Sequence, residues 1–132
     1  MKVVFDTNVL VSALVFPGGH GEAALLRIVE NKDPLILSKP ILDELLGVLS
    51  RKFSRDAEVL SHVAVFLSDL SLSVQPRQKL KVLKDDADNR ILERAIAGNA
   101  DAIVTGDRAF LALREYRRVR IIKLHDYLAI GA

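Results

Sequence analysis

The chain has 132 residues, half of them apolar, and a formal net charge of +2 at pH 7. This length and apolar content suit one domain with one core, so we expect a single domain over residues 1–132. The absence of cysteine excludes disulfides, thiolate catalysis and cysteine-based zinc or iron–sulfur sites. No apolar stretch is long enough to span a bilayer, and the N-terminal residues do not form a secretory signal. We therefore expect a cytoplasmic protein without a membrane segment.

The charged residues are unevenly distributed. Residues 107–123 contain six basic and two acidic side chains, which leaves a local balance of +4, whereas Asp85, Asp86 and Asp88 form an acidic cluster. Separate acidic and basic patches suit a polyanion that is held by cations and cut at a metal. A solvated surface is the alternative explanation for such a charge run.

Hydrophobic patterning predicts strands that alternate with helices. Short apolar runs are typical of strands buried on both faces, and apolar residues at helical spacing are typical of amphipathic helices. The predicted strands are Val3–Phe5, Leu35–Leu37, Leu72–Gln75, Ala102–Val104 and Val119–Ile122. The predicted helices are Asn8–Val15, Glu22–Asn31, Ile41–Lys52, Asp56–Leu70, Asp86–Asn99, Ala109–Tyr116 and Asp126–Ala129, and residues 79–84 form a basic connector. We expect a three-layer α/β/α sandwich with a mostly parallel central sheet.

Asp6 directly follows the first predicted strand, and Asn8 opens the helix beside it. In open α/β sheets the working crevice lies beyond the carboxyl ends of the strands, so we expect the Asp6 side chain in that crevice. The alternative is that Asp6 only caps the helix.

Asp107 repeats this arrangement after another buried strand. Its alternative role is to cap the helix that contains Phe110. Thr105, two residues earlier, can offer its hydroxyl group to a neighbouring carboxylate or to a phosphate.

Asp88 lies on the face of its predicted helix that also carries Ile91 and Leu92. A carboxylate that extends an apolar face is costly unless it is paired or bound to a cation. Interaction with the helix dipole is the alternative. For Asp85 and Asp86 we expect helix capping, because negative charge is favourable at a helix N-terminus.

Glu44 lies on the helix that follows the second strand, close to the same edge of the sheet. The exposed face of an amphipathic helix is its alternative environment. Four carboxylates at one edge would repel one another, and a divalent cation would relieve that repulsion. Oxygen ligands select Mg²⁺ or Mn²⁺. The scattered positions of His20, His62 and His125 do not favour a zinc site.

Several motifs together resemble the PIN domain family, in particular the single-domain, VapC-like toxins of bacterial and archaeal toxin–antitoxin pairs. The motifs are Asp6-Thr7-Asn8-Val9-Leu10, Glu44, Asp88-Asn89-Arg90-Ile91-Leu92 and Thr105-Gly106-Asp107. The resemblance covers nearly the whole chain. It implies a Mg²⁺- or Mn²⁺-dependent endoribonuclease that forms a homodimer and is held inactive by a cognate antitoxin. It also implies a set of site residues, with Asp6, Glu44, Asp88 and Asp107 as the acidic quartet and Asn8 and Thr105 in support.

The sequence departs from the family pattern at one position. The family often has a second acid two residues after the one that matches Asp107, and here that residue is Ala109. This departure puts a second metal ion, or full activity, in doubt.

The expected reaction is metal-assisted hydrolysis of an RNA phosphodiester. Asp6, Asp88 and Asp107 would hold the metal, and Glu44 would complete its shell and accept a proton from the attacking water. For the flanking phosphates we expect Arg90 and Arg108, although each of these side chains is also explained as a solvated helix residue.

Two alternative functions remain open from the sequence. One is a phospho-accepting receiver-type domain, although the second and third predicted strands do not end in the aspartate that a receiver needs. The other is a non-catalytic module that binds RNA or a partner protein, and Ala109 is its support.

Overall fold

The computed structural model describes residues 1–53 and 56–130. Within these ranges the strands are β1 (Val3–Phe5), β2 (Leu35–Leu37), β3 (Ser71–Ser73), β4 (Ala102–Val104), β5 (Glu115–Tyr116) and β6 (Val119–Ile122). The helices are α1 (Thr7–Val15), α2 (His20–Val29), α3 (Lys39–Lys52), α4 (Ala57–Leu70), α5 (Asp86–Ala97), α6 (Arg108–Leu113) and α7 (Leu124–Ala129).

The strands form one six-stranded sheet in the order β3-β2-β1-β4-β6-β5. All neighbouring pairs are parallel except β5 and β6, which are antiparallel. Helices cover both faces, so the predicted three-layer α/β/α sandwich with a mostly parallel sheet is confirmed. Receiver-type domains have the strand order 2-1-3-4-5. Because the observed order differs, the receiver alternative is wrong.

The β1 strand is central, and its three residues are buried. Phe5 pairs with Val104 of β4, so the residues that follow these two leave the sheet side by side. The Asp6 N–H donates to the Val104 carbonyl oxygen at 3.0 Å. The ends of β1 and β4 therefore bring Asp6 and Thr105 to the same edge of the sheet.

The α5 helix crosses the sheet and contacts β1, β2 and β4. Its C-terminal end approaches β2 so closely that a Cβ atom on Gly98 would lie 2.6 Å from Cδ1 of Ile36. A side chain at position 98 would therefore force the buried Ile36 side chain to shift. Residues 78–83, which we call the covering segment, run along the outside of α5 and are fastened to it by Asn89 and Glu93.

The end of the predicted helix Ala109–Tyr116 is wrong. The α6 helix ends at Leu113, and Glu115–Tyr116 forms the antiparallel edge strand β5. A two-residue turn connects β5 to β6, and both of its residues have positive φ, 46° for Arg117 and 71° for Arg118. Hairpin turns of this kind normally carry Asn or Gly, so the sequence lacked the usual signal.

The third strand was predicted too late in the chain. It spans Ser71–Ser73 instead of Leu72–Gln75. The Val74 N–H still donates to the Leu37 carbonyl oxygen at 3.2 Å, but the strand ends before Pro76, which has no N–H to donate.

Among the described residues no single helix is long and apolar enough to cross a membrane. Taken together, α1 and α2 have the length and apolar composition of a membrane-spanning segment, but the two helices are bent by 95° relative to each other.

Candidate metal centre

Asp6 and Thr105 form the centre of the site. The Asp6 side chain is 8% exposed, and its Oδ2 accepts a hydrogen bond of 2.7 Å from the Thr105 hydroxyl group. Asp6 occupies the N-cap position of α1, but its side chain makes no capping hydrogen bond. Capping therefore does not account for this carboxylate.

Asp107 does cap its helix. Its Oδ1 accepts hydrogen bonds from the N–H groups of Ala109 at 2.8 Å and Phe110 at 3.3 Å. The Asp107 N–H in turn donates to the Thr105 hydroxyl oxygen at 3.1 Å. The Thr105 hydroxyl group thus joins two acidic residues from the ends of two adjacent strands.

Asp88 lies in the first turn of α5 and is 5% exposed. Carboxylate oxygens of Asp85, Asp88 and Asp107 all lie within 4.8 Å of one another. Asp85 also caps α5, because its Oδ1 accepts from the Ala87 N–H at 2.9 Å. We call the sheet edge that carries Asp6, Asp85, Asp88 and Asp107 the carboxylate rim.

Crowding of like charges perturbs the protonation of Asp88. Burial raises its pKa to about 7, and the negative charges of Asp107, Asp85 and Asp6 act in the same direction. A hydrogen bond with Asp107 favours the protonated form further. A bound divalent cation reverses this preference, because it stabilises the ionised carboxylates around it.

Glu44 is connected to the rim through Thr7, the residue after Asp6. The Thr7 side chain is buried, and its hydroxyl group donates to Oε2 of Glu44 at 3.3 Å. Glu44 itself is exposed, as expected for a residue on the outer face of an amphipathic helix. Asn8 is also exposed, in the first turn of α1. The structure therefore places Glu44 against Thr7 and Asn8 two residues after Asp6, and it leaves both side chains open to solvent.

The donor set fits a hard divalent cation. Carboxylate and hydroxyl oxygens are the ligands that Mg²⁺ and Mn²⁺ select, and a buried Asp88 beside two further carboxylates needs such a counter-charge. Asp85 was expected to be a capping residue alone. The i, i+3 spacing of Asp85 and Asp88 places both at the start of one helix face, and this signal pointed to a shared site. Ala109 is exposed and has no side-chain oxygen that could bind a cation.

The two arginines chosen for phosphate contacts have different environments. Arg90 forms an ion pair of 2.8 Å with Glu93 and donates to the Leu80 carbonyl oxygen at 3.0 Å. Its guanidinium group is therefore held by the chain itself. Arg108 is exposed in the first turn of α6, directly after Asp107.

Comparison with known proteins places this site in a family. Residues 2–109 match the model of the PIN domain. The uncharacterized protein MJ1680 of Methanocaldococcus jannaschii is 32% identical over 130 residues, which cover 95% of this chain and 83% of that protein. A chain in the crystal structure of VapBC2 from Rickettsia felis, bound to a DNA fragment from their promoter, has a similar fold. The two superpose with a TM-score of 0.66 at 19% identity, over 93% of this chain and 98% of that one. The chain belongs to the PIN domain family, as its motifs predicted.

Proposed function

We propose that this protein is a Mg²⁺- or Mn²⁺-dependent endoribonuclease and the toxin of a toxin–antitoxin pair. The observation that carries the proposal is the convergence of Asp85, Asp88 and Asp107 around one point, with the pKa of buried Asp88 raised to about 7. Membership of the PIN family supports it, because proteins of this family are generally metal-dependent nucleases.

Asp6, Asp88 and Asp107 would hold the cation. Asp85 lies within 4.8 Å of Asp88 and Asp107, so it can supply a carboxylate in place of the acid that is absent at position 109. A bound cation lowers the pKa of water and stabilises negative charge on the scissile phosphate.

The remaining groups of the site position the acids and handle protons. The Thr105 hydroxyl group fixes the relative positions of Asp6 and Asp107, since it donates to the Asp6 carboxylate and accepts from the Asp107 N–H. Glu44 is exposed and oriented by Thr7, so it can accept a proton from an attacking water and release it to solvent. Asn8 is available in the same turn to hydrogen-bond substrate. Arg108 can contact a phosphate, while Arg90 contributes positive charge from its ion pair.

A protein partner belongs to the proposal. The Rickettsia felis structure is that of VapBC2 with a DNA fragment from their promoter. By analogy, we propose a cognate antitoxin for this chain, together with a homodimer in the cytoplasm that acts on RNA.

The test is cleavage of RNA by the purified chain. We expect strand scission with Mg²⁺ or Mn²⁺, loss of scission in EDTA, and a loss of at least about 100-fold in Asp6→Asn. Asp69→Asn is the control, because Asp69 is exposed near the end of α4. It lies where β3 begins, whereas the carboxylate rim lies where the parallel strands end. Cleavage that survives EDTA or Asp6→Asn would contradict the proposal. Binding of RNA without metal and without cleavage would favour the non-catalytic module instead.

A further inference from the structure

A pocket of about 400 Å³ lies between α5 and the start of the covering segment. We call it the basic pocket, because four of its lining side chains are cationic and one is anionic, which leaves a balance of +3. The charged residues that line it are Arg77, Lys79, Arg90, Arg94 and Glu93. This volume lies within the range of small-ligand sites, roughly 300–1,000 Å³.

The single carboxylate of the pocket is already satisfied within the chain. Glu93 is 6% exposed and accepts from the Leu80 N–H at 2.7 Å. It also forms ion pairs with Arg90 at 2.8 Å and with Arg94 at 3.3 Å. Two cations therefore share one buried anion, and the pocket keeps an excess of positive charge.

Hydrogen-bond donors are also in excess there. Among the described residues, the buried Nε of Arg90 has no acceptor, and the exposed side chains of Arg77 and Lys79 have no ion-pair partner. Donors without acceptors are costly when buried and favour a ligand that supplies oxygen atoms.

One residue of the basic pocket reaches the edge of the sheet that carries the carboxylate rim. Arg94 donates from Nε to the Ser38 hydroxyl oxygen at 2.9 Å, and Ser38 directly follows β2. The β2 strand neighbours β1, which ends at Asp6, and adjacent strands lie only about 4.7–4.9 Å apart. The Arg94 guanidinium group and the carboxylates at the ends of β1 and β4 therefore lie at the same edge of the sheet.

We propose that the basic pocket binds a backbone phosphate of the single-stranded RNA that is cleaved at the carboxylate rim. This inference rests on the proposed function and adds how its substrate is held. Guanidinium and ammonium groups donate strong hydrogen bonds to phosphate oxygens.

The surroundings favour an RNA strand over an acidic peptide. A second cavity, of about 480 Å³, shares Arg77, Gln78 and Glu93 with the basic pocket. It adds an apolar wall formed by Leu80 and Ile96. A nucleoside attached to the bound phosphate therefore has a partly apolar place beside it.

The experiment measures RNA binding without catalysis. A fluorescently labelled single-stranded RNA is titrated with the full chain in EDTA, and anisotropy is read at several salt concentrations. We expect Arg77→Ala/Lys79→Ala to weaken binding about tenfold near 0.1 M salt. The slope of log K against log salt should become shallower by about 0.7, which is the contribution of one lost phosphate contact on a single strand.

The matched control is Arg51→Ala/Lys52→Ala, which removes the same charge from the exposed last turn of α3. Both altered pairs are exposed, and circular dichroism checks that each variant is folded. The single variant Arg77→Ala gives a second reading with a loss about half as large on the logarithmic scale. Affinity of Arg77→Ala/Lys79→Ala within twofold of the wild type would overturn the proposal. Unchanged RNA affinity of this double variant, together with weaker binding of polyglutamate, would also overturn it, because that result favours an acidic peptide as the ligand.

Failure of this proposal can be told apart from failure of the nuclease. Weakened RNA binding by the double variant supports the pocket even when the wild-type chain does not cleave RNA. Cleavage by the wild type, together with normal RNA binding by the double variant, overturns the pocket and leaves the nuclease standing.

Discussion

Asp88 carries a large electrostatic cost at the carboxylate rim. Its carboxyl group has a pKa of about 7 in the folded chain, because burial and three neighbouring carboxylates disfavour the ionised form. In the unfolded chain an aspartate titrates near pH 3.9. The folded state therefore binds more protons between about pH 4 and 7, and stability falls as pH rises through this range.

This cost makes a prediction for the metal-free protein. In EDTA, the melting temperature of the wild type should decrease between pH 5 and 8. Asp88→Asn should remove most of the decrease and be more stable at pH 8 by roughly 2 kcal/mol. Thermal unfolding followed by circular dichroism measures both effects. Asp69→Asn, near the end of α4, should keep the wild-type slope. If the melting temperature of Asp88→Asn decreased with pH as much as that of the wild type, another group would be responsible for the decrease.

Among the elements, α5 connects the two charged regions of the molecule. Its first turn supplies Asp88 to the carboxylate rim, and its middle supplies Glu93 to the basic pocket. Asn89 accepts from the N–H groups of Val82 at 3.1 Å and Leu83 at 2.8 Å, so the covering segment is bound to the helix by side chains. The helix thereby orders a connector that has no regular secondary structure of its own.

Glu93→Gln tests how much this attachment contributes. The change leaves Arg94, which is 5% exposed, without its anionic partner, and so we expect a loss of roughly 2 to 3 kcal/mol in unfolding free energy. Urea denaturation gives that value, and hydrogen exchange at the Leu80 amide should accelerate. Glu58→Gln on the exposed first turn of α4 should change stability by less than about 0.5 kcal/mol. Equal effects of the two variants would contradict this role.

At the scale of the whole molecule, Tyr127 attaches the last helix to the start of the chain. Its hydroxyl group donates to Asp33 at 2.6 Å, and its ring meets Phe5 edge-on at 5.7 Å. The Arg27 guanidinium lies 4.9 Å from the ring centre and donates to the carbonyl oxygens of Tyr127 and Leu128. Burial alone would raise the pKa of Asp33, but hydrogen bonds from Tyr127 and the Met1 amino group hold it below its ordinary value.

Tyr127→Phe should therefore destabilise the protein by about 1 to 2 kcal/mol at pH 7, because Asp33 loses a donor. A depressed carboxyl pKa contributes stability that is present above about pH 4 and lost as pH falls through the folded-state value. The difference between wild type and variant should therefore shrink in acid. Urea denaturation at pH 7 and pH 3 measures it. Tyr116→Phe, on the edge strand β5, is the matched control and should show no such pH dependence.

Local pattern predicted most of the elements, since burial and helical periodicity are properties of neighbouring residues. The runs Val3–Phe5, Leu35–Leu37 and Ala102–Val104 are strands as predicted, and the helices before and after them differ by only a few residues at their ends. The β5–β6 hairpin was missed, because Arg117 and Arg118 adopt the positive φ values that such a turn requires without being the Asn or Gly that usually signal it.

By itself, the sequence determined the strand and helix content, the exclusion of cysteine chemistry, and a set of motifs specific enough to indicate the PIN family. Tertiary structure alone decided how these groups contact one another. It brought Asp85 into contact range of Asp88 and Asp107, linked Asp6 to Thr105 across 99 positions, and buried Arg94 against Ser38. Such contacts depend on the spatial order of the strands in the sheet. That order is set by packing between segments that are distant in the sequence, so a local pattern does not predict it.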